Sequence, residues 1–99
     1  MSGTATQARE ALVAANRVRM ARAQIKRDIT AGNITVPDVL ENPDVATMTL
    51  GELLAAQHHW GPRRTARFLA AIGATVTKRV GTLTERQRDL IRVALREAA

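Results

Sequence analysis

From Thr6 to Thr30 the chain contains no proline and no glycine, and most residues in that stretch are good helix formers. Ala14, Val18, Ala21, Ile25 and Ile29 recur through it at helical spacing, which predicts one long helix ending at Gly32. About a quarter of the 99 residues is thereby committed to a single rod, and what is left suffices for one small domain. The expected division is a long basic helix over 1–33 and a compact domain over 34–99. The apolar stripe of the helix is narrow and rich in alanine. Burial is therefore expected to be weak, with the C-terminal half docked on the domain and the N-terminal half free.

Hydrophobic residues make up 45% of the composition, yet Trp60 and Phe68 are the only aromatics. The core must be built from Leu, Ile, Val, Ala and Met, which suits helices better than sandwiches. Thr35-Val36-Pro37-Asp38 has the form of a capped helix start, with Val36, Val39 and Leu40 as its buried face and Asn42-Pro43 as its stop. Thr49-Leu50-Gly51-Glu52 has capping-box spacing and leads into Leu50, Leu53 and Leu54, predicting a helix to about His58. Gly61-Pro62 opens another, which carries Phe68, Leu69 and Ile72 and stops at Gly73. The short turn between these two makes them a helical hairpin. After a connection from Gly73 to Leu83, Thr84-Glu85-Arg86-Gln87 is a second capping box, and the last helix is expected to bury Leu90, Ile91, Ala94 and Leu95. No segment alternates as a strand does. The fold class is all-α, with about five helices.

Charge is unevenly distributed. Six basic residues stand with two acidic ones up to Gly32, none with four from Asn33 to Gln57, five with none from His58 to Leu83, and four with three from Thr84 onward. A solvated surface mixes its signs, as the last segment does. Two cationic blocks on either side of an acidic one point instead to a polyanionic partner, whose phosphates release condensed counterions when basic groups replace them. The absence of cysteine removes disulfides, zinc thiolates and cysteine nucleophiles, and leaves no reason to expect the protein outside a reducing cytosol. No apolar run approaches the roughly 18 residues of a membrane span, and Met1 to Gln7 lacks the charge and apolar stretch of a signal peptide.

The sharpest local feature is His59-Trp60-Gly61-Pro62-Arg63-Arg64. There a tight turn enters a helix whose first amides point outward with the positive end of the dipole behind them, an arrangement suited to phosphate. Gly61 permits close backbone approach, Pro62 lacks an amide where the helix ladder needs none, and Arg63, Arg64 and Arg67 surround the opening with cations. The same pattern also serves as a plain structural turn. Lys78-Arg79, followed by Val80-Gly81-Thr82, is the second basic connection. Alone it reads as a solvated loop; coming after the first turn across the hairpin, the two could face one duplex. Arg19, Arg22 and Lys26 line one side of the first helix, either as a solvated face or as a further surface for a phosphate backbone.

Other residues invite plainer readings. His58 and His59 would diverge if they lay on a helix, and without cysteine or a third histidine no metal site is expected. Trp60 plugs the core or stacks on a base, and Met48 and Leu50 are core. With no serine or cysteine nucleophile beyond Ser2, and carboxylates dispersed among helix caps, no enzyme and no cofactor is expected.

The order of elements, and Leu53-Leu54, Gly61, Arg64, Ile72-Gly73, Lys78-Arg79-Val80, Leu83 and Gln87 within it, resembles the actinobacterial integration host factor family. The resemblance covers most of the chain and is clearest from Leu50 to Leu95. It implies a helix-two-turns-helix domain, similar in shape to DNA-binding parts of some repair glycosylases and of a small-subunit ribosomal protein, that holds duplex DNA mainly by its backbone. Family members are nucleoid-associated proteins that bend or compact DNA and assist phage integration, so a phage integrase is an implied partner. The chain departs from the pattern at both contact regions. Pro62 stands where the family has a lysine after the turn glycine, and Gly81, Thr82 and Thr84 replace a further arginine and glycines. Such departures fit a divergent member, one carried by a phage for example. The resulting expectation is a monomeric, architectural double-stranded DNA binder of low sequence specificity. An RNA- or ribosome-associated role and a helical protein-interaction module are the alternatives.

Overall fold

A computed structural model describes residues 2–98, with side chains over 5–97. Helix α1, Ser2–Ala31, has 30 residues and at 1.5 Å per residue is roughly 45 Å long. It accounts for most of the 55 Å length of the molecule, whose other dimensions are 27 and 21 Å. Gly32 ends it at φ +81°, with its amide on the Ile29 carbonyl at 3.1 Å and the Asn33 amide on that of Asp28 at 2.9 Å, the paired bonds of a Schellman stop. Residues 5–17 are exposed throughout, whereas Ile25 and Ile29 enter the core, so docking is confined to the second half of the helix. The same half is fastened by polar contacts. Arg22 Nε donates to the Asp44 carbonyl at 3.0 Å, Thr30 Oγ1 to the Ala56 carbonyl at 2.6 Å, and Lys26 pairs with Glu52 at 3.4 Å.

Helix α2, Val36–Val39, is a single turn that buries Val36 and Val39. Its start is secured by the Thr35 amide donating to the Asp38 carboxylate at 2.9 Å. That backbone bond, with a second from the Thr35 side chain, holds the Asp38 carboxyl below the usual value of 3.8. The bond therefore supports the fold while Asp38 is ionised and loses that contribution as pH falls through the lowered value. Pro43–Val45 forms a 3-10 turn, capped by Asn42 Oδ1 accepting the Asp44 amide at 2.8 Å. Helix α3, Leu50–Ala55, is capped by Thr49 Oγ1 accepting the Glu52 amide at 3.1 Å.

Helix α4, Pro62–Ala71, returns against α3 and ends at Gly73, φ +74°, with the Ala74 amide on Leu69 at 2.9 Å. Residues 76–81 then run alongside 46–51, with Leu50 N on the Lys78 carbonyl at 2.8 Å and Val80 N on that of Met48 at 2.9 Å. Thr49 and Arg79 make one antiparallel bridge there. A 3-10 turn at Val80–Thr82 leads to α5, Glu85–Ala98. In its capping box the Thr84 amide donates to Gln87 Oε1 at 3.0 Å and the Gln87 amide to Thr84 Oγ1 at 3.1 Å.

The described residues form five α-helices and no strand, as the all-α expectation required. The core gathers Val36, Val45, Met48, Leu50, Leu53, Leu54, Leu69, Val80 and Ile91, each almost completely buried. Two local expectations need correction. The helix expected to reach His58 stops at Ala55, because the chain turns sharply through His59, which takes φ +66°; the two imidazoles consequently touch, with centroids 3.8 Å apart and planes tilted by 54°, instead of diverging. Leu90, expected in the core, is 39% exposed: only Ile91 and Leu95 of α5 point fully inward.

Candidate nucleic-acid interface

The first turn is open. Gly61 is the N-cap of α4 at φ −81°, ψ 177°, with no side chain bonded to the helix start. The outward amides of the first turn are thus free of any protein cap, behind a helix of ten residues whose dipole is positive at this end. Pro62 occupies the first helical position and contributes no amide. Arg63, Arg64 and Arg67 are exposed, and none forms an ion pair among the described residues. Arg64 nevertheless has a fixed station: its guanidinium carbon lies 4.4 Å from the centroid of the Trp60 ring, and that ring packs edge-on against Phe68 at 5.2 Å. Trp60 therefore joins the core at one edge and supports a cation on its face. Neither the core reading nor the base-stacking reading of Trp60 anticipated this role. The spacing of four between Trp60 and Arg64 on a helix entry is the signal that could have found it.

The second turn is closed. The Gly81 amide donates to the Ala46 carbonyl at 2.8 Å and the Val80 amide to Met48, while Thr82 Oγ1 donates to the Arg79 carbonyl at 2.7 Å. Gly81 and Thr82 are thus engaged in the turn itself, and what the region presents outward is the side chains of Lys78 and Arg79. Lys78 is half-buried, and Arg79 is exposed with its Nη1 on the Thr47 carbonyl at 2.6 Å. The Lys78 and Val76 carbonyls receive the Leu50 and Gly51 amides at the start of α3, and the end of α3 runs into the Gly61 turn. The two turns accordingly flank α3, six residues or roughly 9 Å long.

On α1 the three basic residues part company. Arg22 and Lys26 are tied to Asp44 and Glu52 and help dock the helix, whereas Arg19 reaches only Asn16 of its own helix, at 3.3 Å. Arg19 and Arg22 border a shallow groove with Pro43 and Thr47, and Thr47 is the residue whose carbonyl receives Arg79. The second turn and the middle of α1, separate in sequence, thus both reach Thr47. No group of three or more His, Cys, Asp or Glu side chains is disposed to hold a metal among the described residues, and no described helix is long and apolar enough to cross a membrane.

These features define a small helix-two-turns-helix body with a long basic first helix. No protein-family model matches the chain, and no curated protein matches it. Among solved structures it shares its fold with the protein sIHF, determined bound to an 8-base-pair palindromic DNA. The TM-score is 0.73 over 80% of this chain and 93% of that one, at 22% sequence identity.

Proposed function

We propose that this chain is an architectural double-stranded DNA-binding protein of low sequence specificity, gripping the phosphate backbone and bending or bridging the duplex. The observation that carries the reading is the open start of α4, where amides without a protein cap and three unpaired arginines converge on one surface. The fold neighbour, solved on DNA, supports the same reading. Gly61, Pro62, Arg63, Arg64 and Arg67 form the primary phosphate site. Lys78 and Arg79, with Gly81 and Thr82 shaping their turn, form the second, extended by Arg19; Arg22 and Lys26 hold α1 in place beside it. Both grips lie within one chain, so a monomer suffices to bind. A duplex that satisfies two contact regions on one rigid body has to deform toward them, and this is the basis for the bending assignment.

The test is binding to short duplexes of unrelated sequence across a salt series, with end-to-end fluorescence transfer on the same duplexes. Affinity is expected to vary little with sequence, to fall steeply with salt, and to be accompanied by shortening of the end-to-end distance. Strong preference for one sequence, tighter binding to double-stranded RNA, or an affinity no better than that of an unrelated protein of equal charge would overturn it.

A further inference from the structure

Helix α5 carries a face that its own fold does not use. Arg86, Leu90, Val93 and Glu97 follow one another at intervals of four, three and four residues and so form one line along the helix, away from the buried Ile91 and Leu95. Leu90 and Val93 are 39% and 48% exposed. Arg86 and Glu97, at the two ends of the line, are exposed and have no ion pair or hydrogen bond among the described residues. On the other side of the helix, beside buried Leu95, Arg88 and Arg92 reach Glu41 at 3.8 and 3.6 Å.

We infer that this line is a self-association face, on which a second copy of the chain lies antiparallel. With the two-fold axis midway between Ile91 and Arg92, Arg86 stands opposite Glu97 of the second copy and Leu90 opposite its Val93, and symmetry repeats both pairings. A parallel arrangement would set cation against cation and anion against anion. The charge pattern therefore selects one occupant in one orientation. The other exposed apolar face, Leu12, Val13 and Met20 on α1, has Arg9 and Arg27 along its middle and Glu10 only at its edge, so antiparallel self-pairing there would set arginine against arginine. Helix α5 has 14 residues, roughly 21 Å. A contact of that length with two apolar side chains per copy falls short of the roughly 800 Å² per partner of a standard stable interface. The pair is accordingly weak and forms only as concentration rises. The inference is independent of what the basic surfaces bind.

Sedimentation equilibrium of the full chain without nucleic acid, from micromolar to millimolar concentration at low salt, tests it. The average mass is expected to rise toward that of a dimer, and Arg86→Glu or Glu97→Arg alone to weaken association about tenfold by replacing two attractions with two repulsions. The double variant Arg86→Glu/Glu97→Arg is expected to regain it, and so is an equimolar mixture of the two single variants, in which each copy supplies the charge the other lacks. Val93→Glu is expected to abolish association, with thermal melting followed by circular dichroism to verify that each variant folds. A chain that stays monomeric throughout overturns the inference. So does failure of both charge-restored combinations to recover association, or association that is lost on Leu12→Glu and Met20→Glu but not on Val93→Glu.

Discussion

At Gly61 an added Cβ would meet nothing within 4 Å, and φ is −81°. At Gly81 it would stand 2.9 Å from the Cβ of Ala46 and 3.0 Å from the Ala46 carbonyl oxygen. The second glycine is required by the fold: it lets the 76–81 segment lie against 46–51 closely enough for its amide to reach Ala46. The first is required by nothing inside the molecule. Local folding explains the glycine of the closed turn, whereas the glycine of the open turn is an N-cap whose missing side chain leaves the backbone there open to approach from outside. The comparison also separates two ways of presenting positive charge. At the open turn, amides and side chains act together. At the closed turn the amides are consumed by the fold and only Lys78 and Arg79 remain.

The largest expected effect comes from filling the closed turn. Gly81→Val forces a branched side chain into the contact with Ala46 and is expected to cost about 3 kcal/mol of stability, the upper range for overpacking. Thermal unfolding should then fall on the order of 10 °C or more. A melting curve unchanged within a degree would show that the approach to Ala46 is not tight, and the contrast between the glycines would collapse.

Next in size is the difference between the basic pairs. Arg63→Ala with Arg64→Ala is expected to weaken duplex binding by about 2 kcal/mol, roughly thirtyfold, and to flatten the salt dependence by about two phosphate contacts. Lys78→Ala with Arg79→Ala should cost less in binding, because that turn offers no amides to reinforce the side chains. It should also cost some stability, because Arg79 is bonded to Thr47. Equal losses from the two pairs would mean that the free amides of α4 do not reinforce the arginine side chains beside them.

A sharper probe of those amides is Gly61→Ser, with an expected effect of about 1 kcal/mol on binding. A serine at the N-cap supplies a hydroxyl to the helix start, so stability is expected to hold or rise by a few tenths of a kcal/mol. The same hydroxyl occupies the amides and obstructs approach to the backbone, so affinity for DNA is expected to fall. Stability and binding measured on one preparation must move in opposite directions. If binding is unchanged, the backbone is not part of the grip.

How legible this was in the sequence follows the same division. Signals carried by neighbours along the chain could be read directly: the Thr84-Gln87 box, the stops at Gly32 and Gly73, the inward Leu50, Leu53 and Leu54, and the helix start at Gly61-Pro62 are all local patterns. What the sequence could not convey depends on partners distant in the chain. The Gly81 amide is spent on Ala46, Arg22 on Asp44 and Lys26 on Glu52, contacts that span from 22 to 35 positions and leave no periodic trace. His58 and His59 failed for another reason. A non-glycine residue in the left-handed region is too infrequent to expect, so continuation of α3 was the natural reading.

The smallest expected effect concerns the platform beneath Arg64. Trp60→Leu keeps an apolar group against Phe68 but removes the ring face under the guanidinium, and at an exposed site that interaction contributes about 0.5–1 kcal/mol. Binding is expected to weaken a few-fold, with Trp60→Phe recovering part of the loss. The decisive measurement is the double-mutant cycle with Arg64→Ala. If Trp60 acts by holding Arg64 at the open turn, its replacement has little effect once Arg64 is gone. If the indole instead touches DNA directly, the few-fold loss persists in the Arg64→Ala background. In that case Trp60 belongs among the contact residues, and the open turn combines backbone, charge and an aromatic surface where the closed turn offers charge alone.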